Sequence, residues 1–528
     1  MNSLGELHSQ ALVHEPLRGK NPALVGLHGH ARLRVITGCL LALLSAGLIA
    51  CSLPNPDVGW LAWIALVPLM VACATSTPVQ GAALGFLAGM AANAGTYHWL
   101  FEVNGFELYH FLILSSFFAL YPAAWAAGTS YLTRARFPLI FVAPALWVLV
   151  DYLRAHAGFM AFPWGTLAQT QHQNLSILQI ATVTGEYGVT FLVVMGNAAL
   201  AGIILHAAWR PAAGATILIV LVHLGGALAL TSPQPGPSVR LAAVQPSIRV
   251  GERHTEAGRA AARNRLARLT EAAAASHPAL IVWPETAVVG NLRANPFLAM
   301  ELTAFASDLR TPIVFGVGEV DKFVAGGGQR QGYNAAYLVT EQGLSPPYIK
   351  RVLLPFGEYV PLEHIIGWPA WLAPSMYRRV PGNVAVVYTV SDTMAFSPLI
   401  CWENLFADLA RESVREGAGV LVMMSNDGWF GRTAEPLQHN LPSVLRAVEN
   451  RVPVVVASNT GPSKVVDAYG RVVARAPGLF EEDVVIGEVA LGAGGTLYTR
   501  IGDVFAFIVI GAFAFAMIRR WRETTFHK

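Results

Sequence analysis

Three reactive side chains each follow a short apolar run that predicts a buried strand. Glu285 ends ALIVWPE, Lys350 lies in YIKRVLLPFGEYVP, and Cys401 comes directly after AFSPLI. Functional groups in open α/β folds gather at the carboxyl ends of strands, so these three side chains can lie together. A carboxylate can accept the proton of a thiol, and an ammonium group can stabilise the thiolate and a tetrahedral oxyanion. The residue types therefore favour nucleophilic catalysis through a cysteine.

Cys401 lies where a predicted strand, 396–400, turns into a predicted helix, 404–417. The free N–H groups and the helix dipole at such a point are expected to lower the pKa of the thiol. The other cysteines all lie in apolar segments near the N-terminus: Cys39, Cys51 and Cys73. Cys401 therefore has no evident disulfide partner in the polar part of the chain. From the residues alone, it could equally be a buried thiol that packs as a small hydrophobic side chain.

The chain as a whole has the composition of a membrane protein. It has 528 residues, of which 54% are hydrophobic and 13% are charged, against about 25% charged residues in a typical soluble domain. Seven apolar segments precede residue 232 and an eighth lies near the C-terminus. Most are long enough to cross a hydrocarbon core of about 30 Å as helices. They lie at about 33–51, 57–75, 79–100, 109–131, 137–153, 178–206, 213–231 and 501–518.

Basic residues between these segments predict the orientation. Arginines occur before the first segment, after the fourth, after the sixth and after the last, whereas the alternate connections have none: Arg32, Arg34, Arg134, Arg136, Arg210, Arg519, Arg520 and Arg522. The positive-inside rule then places both termini in the cytoplasm and residue 232 outside. We expect a cytoplasmic polar arm (1–32), a seven-helix transmembrane domain (33–231), an extracytoplasmic catalytic domain (232–498), an eighth transmembrane helix (499–518) and a cytoplasmic basic tail (519–528).

The outer region alternates strands with helices, which predicts a layered α/β fold. The strands are predicted at 240–246, 279–285, 312–318, 334–340, 420–426, 452–459 and 484–490, and the helices at 252–276, 296–310, 404–417 and 435–450. No metal-ligand spacing, nucleotide-binding loop or basic tract with interleaved aromatic residues is evident. We therefore expect no metal, no redox cofactor and no nucleic acid.

The sequences around the three reactive residues resemble the nitrilase, or carbon–nitrogen hydrolase, superfamily. WPET, LPFGEYVP, ICWE and SNDGWFG carry the resemblance, which covers about 240–491. A nitrilase-like domain inserted between seven spans and a last span is similar to the apolipoprotein N-acyltransferase family, over about 33–518. PALWVLVDYLRAH, GFMAFPWG and GEYGVTFLVVMGNAAL look like that family's membrane-domain motifs. The resemblance implies an α-β-β-α sandwich on a membrane bundle of eight transmembrane helices.

The resemblance also implies roles for individual residues. Glu285 would be the general base, Lys350 would stabilise the oxyanion and thiolate, and Cys401 would be the nucleophile. Three further residues match family positions that support the site: Glu358, Trp402 and Glu403. The chain departs from the family pattern at two positions, with His254 near a place where the family often has Trp, and Asp151 where Glu is common.

The implied reaction is the last step of bacterial lipoprotein maturation. An acyl chain would move from a phospholipid to the N-terminal diacylglyceryl-cysteine of an apolipoprotein, in a ping-pong scheme through a thioester on Cys401. The partners would be the phospholipid donor, the apolipoprotein N-terminus and membrane lipids, without a cofactor. The location would be the bacterial inner membrane, with several spans and the catalytic domain in the periplasm.

Lipid must reach this polar site, and one apolar stretch follows it directly. Residues 362–380 contain four side chains that suit a loop resting on the outer leaflet: Trp368, Trp371, Met376 and Tyr377. Trp429 and Phe430 are candidates for the same mouth, and the FPWG sequence at 162–165 for the floor beneath the site. A buried core loop and ordinary core packing are the alternatives.

Two other functions fit parts of the sequence. A membrane-tethered nitrilase-like amidase acting on a small soluble substrate would use the same three residues, but leaves seven spans without a purpose. A transporter or channel with an outer binding domain would account for the spans. However, the spans carry few charges, whereas substrate pathways through membranes usually contain some.

Overall fold

The structure is a computed structural model that describes residues 31–526, apart from 293, 324–329, 370, 373–377 and 493. The predicted polar arm lies almost wholly outside the described residues, as do Met376 and Tyr377 of the predicted lipid-facing loop. The described chain consists of a helical part up to Thr231, an α/β part that begins at Ser238, and a long final helix.

The helical part is built from apolar helices joined by short connections. These are α1 (Ala31–Cys51), α2 (Val67–Thr75), α3 (Pro78–Thr96), α4 (Leu108–Arg134), α5 (Leu139–Ala155), α6 (Leu175–Leu178), α7 (Ala181–Thr184), α8 (Glu186–His206) and α9 (Trp209–Thr231). Within the described residues, four helices are long and apolar enough to cross a membrane: Leu33–Cys51, Leu108–Arg134, Glu186–His206 and Trp209–Thr231. The bundle of eight transmembrane helices stays a prediction.

Two of the predicted spans are interrupted. The segment at 57–75 forms a 3-10 turn, Gly59–Trp63, followed by the nine-residue α2. The segment at 178–206 breaks at Gly185, whose φ is +63°. A Cβ at Gly185 would lie 2.5 Å from the ring of Tyr498. Glycine therefore permits both the left-handed backbone that ends α7 and the close approach of Tyr498.

The α/β part contains two sheets. Their strands are β1 (Ser238–Gln245), β2 (Leu280–Val282), β3 (Val288–Val289), β4 (Ile313–Phe323), β5 (Arg330–Thr340), β6 (Gly343–Leu344), β7 (Tyr348–Ile349), β8 (Arg378–Arg379), β9 (Tyr388–Ser391), β10 (Met394–Ile400), β11 (Val420–Ser425), β12 (Val454–Ser458), β13 (Lys464–Val466), β14 (Val472–Arg475) and β15 (Asp483–Ala490). In the first sheet the strand order is β15-β1-β2-β4-β5-β6, and in addition β3 pairs with β4, and β7 and β8 pair with β5. In the second sheet the order is β14-β13-β12-β11-β10-β9.

The two sheets pack face to face, with helices on both outer faces. One buried cluster joins Leu241 and Val282 of the first sheet to Phe396 and Val422 of the second. The helices of this part are α10 (Glu256–Ala274), α11 (Pro296–Leu309), α12 (Ala407–Arg415), α13 (Glu435–His439) and α14 (Pro442–Asn450). The helices α10 and α11 cover the first sheet, and α12 and α14 cover the second. The predicted α-β-β-α sandwich is therefore observed.

Most predicted elements are present, with different ends. The predicted helix 404–417 begins only at Ala407, after a 3-10 turn that covers Cys401–Leu405. The predicted helix 435–450 divides into α13 and α14, and Pro442 occupies the first position of α14. Proline lacks the N–H that an uninterrupted helix needs and favours a helix start. The chain ends with α15 (Leu497–Ile501) and α16 (Val504–Phe526).

The α/β part is joined to the helical part through buried polar contacts. Gln438 of α13 accepts hydrogen bonds from the ring N–H groups of Trp99 and Trp164, both at 3.1 Å. Its amide group donates to the carbonyl oxygens of Pro54 and Thr96. One buried glutamine thus satisfies four groups of the helical part, which fixes the edge of the α/β part above it.

Candidate active site

Glu285 lies just beyond the carboxyl end of β2 and is 7% exposed. The neighbouring strand β4 passes close to it because position 316 is glycine. A Cβ on Gly316 would lie 2.7 Å from both the Cα of Glu285 and the main-chain nitrogen of Thr286. Glycine at this position therefore lets the loop that carries Glu285 rest directly on the sheet.

Lys350 follows β7 and is 1% exposed. Its main-chain N–H donates to the carbonyl oxygen of Asn334 at 2.8 Å, which sets the position of its side chain beside β5. The Lys350 Nζ atom lies 2.9 Å from Oε2 of Glu358 and 3.9 Å from Oε1 of Glu285. The structure thus brings together two of the predicted catalytic residues and one predicted supporting residue around a buried ammonium group.

Asn334 of β5 connects the two carboxylates, and the sequence analysis missed it. Its Nδ2 atom donates to Oε1 of Glu285 at 2.7 Å and to Oε1 of Glu358 at 3.1 Å. One amide group therefore holds both carboxylates on either side of Lys350. The available signal was a polar residue in the otherwise apolar strand sequence NAAYLVT, but nothing local indicates which groups it faces.

Cys401 follows the last residue of β10 and is the first residue of the 3-10 turn. Its φ of +57° lies in the left-handed region, which costs a non-glycine residue about 1–3 kcal/mol. The surrounding fold must hold this conformation, which turns the side chain out of the strand direction. Cys401 is half-buried. It packs against a cluster that includes Trp402 of its own turn and Trp164 of the helical part.

Glu403 is fully buried and connects the 3-10 turn that begins at Cys401 (the cysteine turn) to residues 348–352 (the Lys350 segment). Its carboxylate accepts hydrogen bonds from the main-chain N–H of Ile400 at 2.8 Å and from those of Arg351 at 2.6 Å and Val352 at 3.1 Å. The hydroxyl of Tyr348 donates to the same carboxylate at 2.8 Å. Through these bonds Glu403 holds the Lys350 segment next to Ile400, the residue that precedes Cys401.

The remaining predicted supporting residue, Trp402, is 5% exposed. Its ring N–H donates to the carbonyl oxygen of Val352 at 2.7 Å. This bond adds a second tie between the cysteine turn and the Lys350 segment. The side chain of His254, near the position where the family often has Trp, lies outside the described residues.

The expected lowering of the thiol pKa is wrong. Burial raises the pKa of Cys401 well above its usual value, and the charge of Glu285 raises it further, whereas Lys350 opposes the shift. The reason is visible in the fold. The α-helix begins six residues beyond the thiol, at Ala407, so Cys401 lies at the start of a 3-10 turn and not at the N-terminus of an α-helix. A raised pKa favours the protonated thiol, so attack by the Cys401 sulfur would need a base.

The charges around the thiol suit Glu285 to that role. Burial raises the pKa of Glu285, and the charge of Lys350 opposes the shift. Burial by itself would lower the pKa of Lys350, but the charges of Glu358 and Glu285, and of the Cys401 thiolate when it forms, raise it overall. Burial by itself would raise the pKa of Glu358, but the charge of Lys350 and the hydrogen bonds from Leu354, Lys350 and Asn334 together lower it. The cluster therefore combines a permanent cation, an ionised carboxylate and a carboxylate with raised proton affinity.

Of the residues predicted to line the entrance of the site, Phe430 and Trp368 pack against other aromatic rings, whereas Trp429 and Trp371 are exposed. Phe430 packs edge-on against Trp99 of the helical part, with ring centroids 5.2 Å apart, whereas Trp429 is 57% exposed. Trp368 packs edge-on against Phe356, at 5.3 Å. Trp371 is 54% exposed and its carbonyl oxygen lies 2.8 Å from Nε2 of His110 in α4. The apolar loop therefore touches the helical part through Trp371.

The floor beneath the thiol is aromatic and comes from the helical part. The cluster that contacts Cys401 includes Tyr97, Trp99 and Trp164. Phe162 stacks on Trp164 with centroids 5.8 Å apart, so the FPWG sequence lies where it was expected, under the cysteine turn. The Cys401 side chain therefore contacts an aromatic surface and also lies within the electrostatic influence of Glu285, Lys350 and Glu358.

Two groups of the described residues have a geometry that could hold a cation. They are His156, Asp408 and Asp503, and the buried group Asp427, Glu435 and His439. Within the second group, Asp427 Oδ1 lies 2.8 Å from His439 Nδ1, and two serine hydroxyls donate to its Oδ2. Neither group includes a predicted catalytic residue. The charge of Asp427 nevertheless reaches the thiol and contributes to the raised pKa of Cys401.

Comparisons with known proteins place both parts of the chain in one family. A model of the apolipoprotein N-acyltransferase N-terminal domain matches residues 45–199, and a carbon–nitrogen hydrolase model matches 240–497. An apolipoprotein N-acyltransferase of Geobacter metallireducens is 35% identical over 92% of this chain and 96% of its own length. One of Gloeobacter violaceus is 32% identical over 90% of this chain and 92% of its own length.

Solved structures also resemble about half of the chain. An amidase from Nesterenkonia sp. is 18% identical, with a TM-score of 0.36, over 51% of this chain and 96% of its own. Nit3 of Saccharomyces cerevisiae, a nitrilase-superfamily member, is 22% identical, with a TM-score of 0.37, over 49% of this chain and 91% of its own. The match to the Geobacter metallireducens relative extends over both parts of the chain. The chain therefore belongs to the apolipoprotein N-acyltransferase family and is an acyltransferase with a carbon–nitrogen hydrolase domain.

Proposed function

We propose that the protein transfers an acyl chain from a phospholipid to the α-amine of the N-terminal diacylglyceryl-cysteine of an apolipoprotein, through a thioester on Cys401. One observation carries the proposal. Cys401 contacts an aromatic cluster built partly by the helical part, and it also lies within the field of Lys350, Glu285 and Glu358. An ester with a long apolar tail suits this junction of an apolar wall and a charged cluster better than a small amide does.

In the first step, Glu285 accepts the thiol proton while the Cys401 sulfur attacks the ester carbonyl carbon of the phospholipid. The carbonyl oxygen becomes an oxyanion, which the ammonium group of Lys350 stabilises. The tetrahedral intermediate then collapses. The bond from carbon to the glycerol oxygen breaks, that oxygen takes the proton back from Glu285, and a lysophospholipid leaves the acyl group on sulfur.

In the second step, the α-amine of the apolipoprotein attacks the thioester carbonyl carbon. Glu285 accepts a proton from the attacking nitrogen, and Lys350 again faces the oxyanion. The carbon–sulfur bond breaks and leaves an amide, and the proton held by Glu285 returns to the thiolate of Cys401. The raised proton affinity of Glu285 suits a group that must accept and return a proton in both steps.

The proposed setting is the bacterial inner membrane, with the α/β domain in the periplasm and both termini in the cytoplasm. The alternation of arginine-containing and arginine-free connections supports this orientation. The proposed division is the one expected from the sequence: seven spans in 33–231, the catalytic domain in 232–498 and an eighth span in 499–518. Four apolar helices of sufficient length support the membrane location.

Mass spectrometry of the purified full chain mixed with phospholipid tests the proposal. We expect one acyl group attached as a thioester, lost on treatment with hydroxylamine and absent in Cys401→Ala. A synthetic diacylglyceryl peptide should then remove the acyl group and become N-acylated. Glu285→Gln and Lys350→Ala should both abolish the first step, and normal thioester in either would reassign that residue.

The same purified protein distinguishes the proposed acyltransferase from the amidase alternative. It predicts ammonia release from small amides, without acylation by phospholipid. Acyl groups and transfer activity that persist in Cys401→Ala would eliminate the thioester mechanism itself.

A further inference from the structure

A cavity of about 640 Å³ lies beside the cysteine turn. Trp402 and Phe406 form one wall, the Lys350 segment contributes Arg351 and Val352, and Phe159 comes from the helical part. Since Trp402 directly follows Cys401 and Val352 packs in the same cluster as the thiol, the cavity adjoins the nucleophile. The basic side chains of its lining outnumber the acidic ones: Arg351, Arg378, Arg379 and His364, against Glu363.

Arg379 holds a charge that the fold does not compensate. Its Nη1 atom donates to the carbonyl oxygens of Glu319 at 2.8 Å and Tyr333 at 3.0 Å. No carboxylate forms a salt bridge with it among the residues that the structure describes, whereas the adjacent Arg378 pairs with Glu363 at 2.6 Å. Buried or half-buried cations are normally paired, so a fixed guanidinium that meets only main-chain oxygens suits an anionic ligand.

The backbone is arranged to keep the Arg379 side chain in place. The strand β8 pairs with β5, and the Arg379 N–H donates to the carbonyl oxygen of Glu358 at 2.8 Å. A Cβ on Gly332 would lie 2.8 Å from Nη1 of Arg379, so glycine leaves room for the guanidinium to cross the strand. The main-chain hydrogen bond therefore links the residue that carries this cation to Glu358, whose side chain pairs with Lys350.

A second cation in the same lining is also incompletely satisfied. Arg351 is 7% exposed at its side chain and pairs through Nη1 with Glu412 at 2.6 Å. Its Nη2 atom is buried and has no hydrogen-bond partner in the described part of the chain. A buried donor left unpaired is costly, and more so when it belongs to a charged group. A ligand oxygen that reaches Arg351 would remove that cost.

We propose that this cavity binds the phosphodiester of the acyl-donor phospholipid, with Arg379 and Arg351 as the anion-binding residues. The inference rests on the proposed function, because it assigns the headgroup of the same donor. In a glycerophospholipid the phosphate and the acyl ester are joined through one glycerol unit. A phosphate bound beside Trp402 therefore places an ester carbonyl near Cys401, and the acyl chain can lie along the aromatic cluster.

Two acyl donors of the same fatty acid test the assignment in the full-length protein. One is a phospholipid in mixed micelles, and the other is a neutral p-nitrophenyl ester that lacks phosphate. The readout is the rate of thioester formation on Cys401. Arg379→Gln should raise KM for the phospholipid about tenfold or more, because a charge-assisted contact is lost. Its rate with the neutral ester should stay within about twofold of the unsubstituted protein, which shows that the site is intact.

Two further variants sharpen the result. Arg379→Lys keeps the charge and should recover part of the phospholipid KM. Arg378→Gln removes a neighbouring charge that Glu363 already compensates, and it should change KM far less than Arg379→Gln. An equal loss with both donors in Arg379→Gln, or an unchanged phospholipid KM, would overturn the headgroup site.

Soluble competitors separate the two sources of phosphate. Glycerophosphoethanolamine should inhibit acylation by phospholipid in the unsubstituted protein and not in Arg379→Gln. Equal inhibition by inorganic phosphate would assign the site to free phosphate and overturn the lipid headgroup. Failure of the two proposals is distinguishable. Absence of any thioester on Cys401 rejects the proposed function, whereas a normal thioester with unchanged donor preference rejects only the headgroup site.

Discussion

Asn334 Nδ2 donates a hydrogen bond to Glu285 Oε1 across 2.7 Å, between residues 49 positions apart in the chain. The same nitrogen also donates to Glu358, and the main-chain oxygen of Asn334 accepts from Lys350. Asn334 thus touches the proposed base, its neighbouring carboxylate and the residue that carries the ammonium group. This contact holds two carboxylates close to one another without a second cation.

Replacement of Asn334 by leucine should slow thioester formation by about 10- to 100-fold, because each carboxylate loses a donor worth about 1.5–3 kcal/mol. The measurement is the single-turnover rate of Cys401 acylation by phospholipid. Gln342→Leu, at an exposed position beyond the end of the same strand, is the matched control and should retain the full rate. An unchanged rate in Asn334→Leu would show that the amide is structural only.

The alkylation of Cys401 should report its raised thiol pKa. Reaction with iodoacetamide needs the thiolate, so it should be slower near pH 7 than for a free cysteine and should rise at pH values above the ordinary thiol pKa of about 8.5. Glu285→Gln removes a charge that raises this pKa and should shift the profile to lower pH. Lys350→Met removes a charge that lowers it and should shift the profile to higher pH.

Intact-mass analysis measures this alkylation, and Cys401→Ser supplies the background from the other cysteines. A profile with its midpoint at or below that of a free cysteine would contradict the raised pKa of Cys401. Shifts opposite in sign to those expected for Glu285→Gln and Lys350→Met would contradict the electrostatic account of the site.

Gly316→Ala should damage the site through the backbone. The added Cβ would lie 2.7 Å from the Cα of Glu285, so the loop that carries the base must move. Overpacking of this kind costs about 1–3 kcal/mol of stability, and we expect acylation to fall at least about tenfold. Gly419→Ala is the control, since its Cβ would meet only one oxygen, at 3.6 Å. Equal acylation rates in the two variants would refute the close-approach argument.

Glu403→Gln should destabilise the fold around the cysteine turn. The carboxylate accepts four hydrogen bonds, and a glutamine would place an amide N–H against some of those donors. We expect a loss of about 1–3 kcal/mol, measured as a lower Tm, together with slower acylation. Glu416→Gln changes an exposed carboxylate just beyond the end of α12 and, as the control, should cost less than about 0.5 kcal/mol. Similar Tm values for both variants would argue against the positioning role.

Much of the site could be predicted because its residues lie at strand ends. The apolar runs before Glu285, Lys350 and Cys401 are strands or adjoin strands, and the three side chains interact in the fold. Other contacts have no local signal. Asn334 and Gly316 lie within strands, and their importance arises from residues elsewhere in the chain that fold beside them.

Residue types and short motifs were enough to indicate the family and to nominate Glu285, Lys350 and Cys401 as candidate reactive residues, since both depend on local residue identity. The α-β-β-α layering was expected from the resemblance that those motifs carry. The direction of the Cys401 pKa shift could not be read from the sequence, because burial and charges brought together from distant segments raise that pKa. The partners of Arg378 and Arg379 likewise depend on the tertiary structure. The two residues are adjacent in the sequence, yet in the described part of the chain Arg378 pairs with Glu363, whereas the guanidinium of Arg379 donates to main-chain oxygens of two other strands.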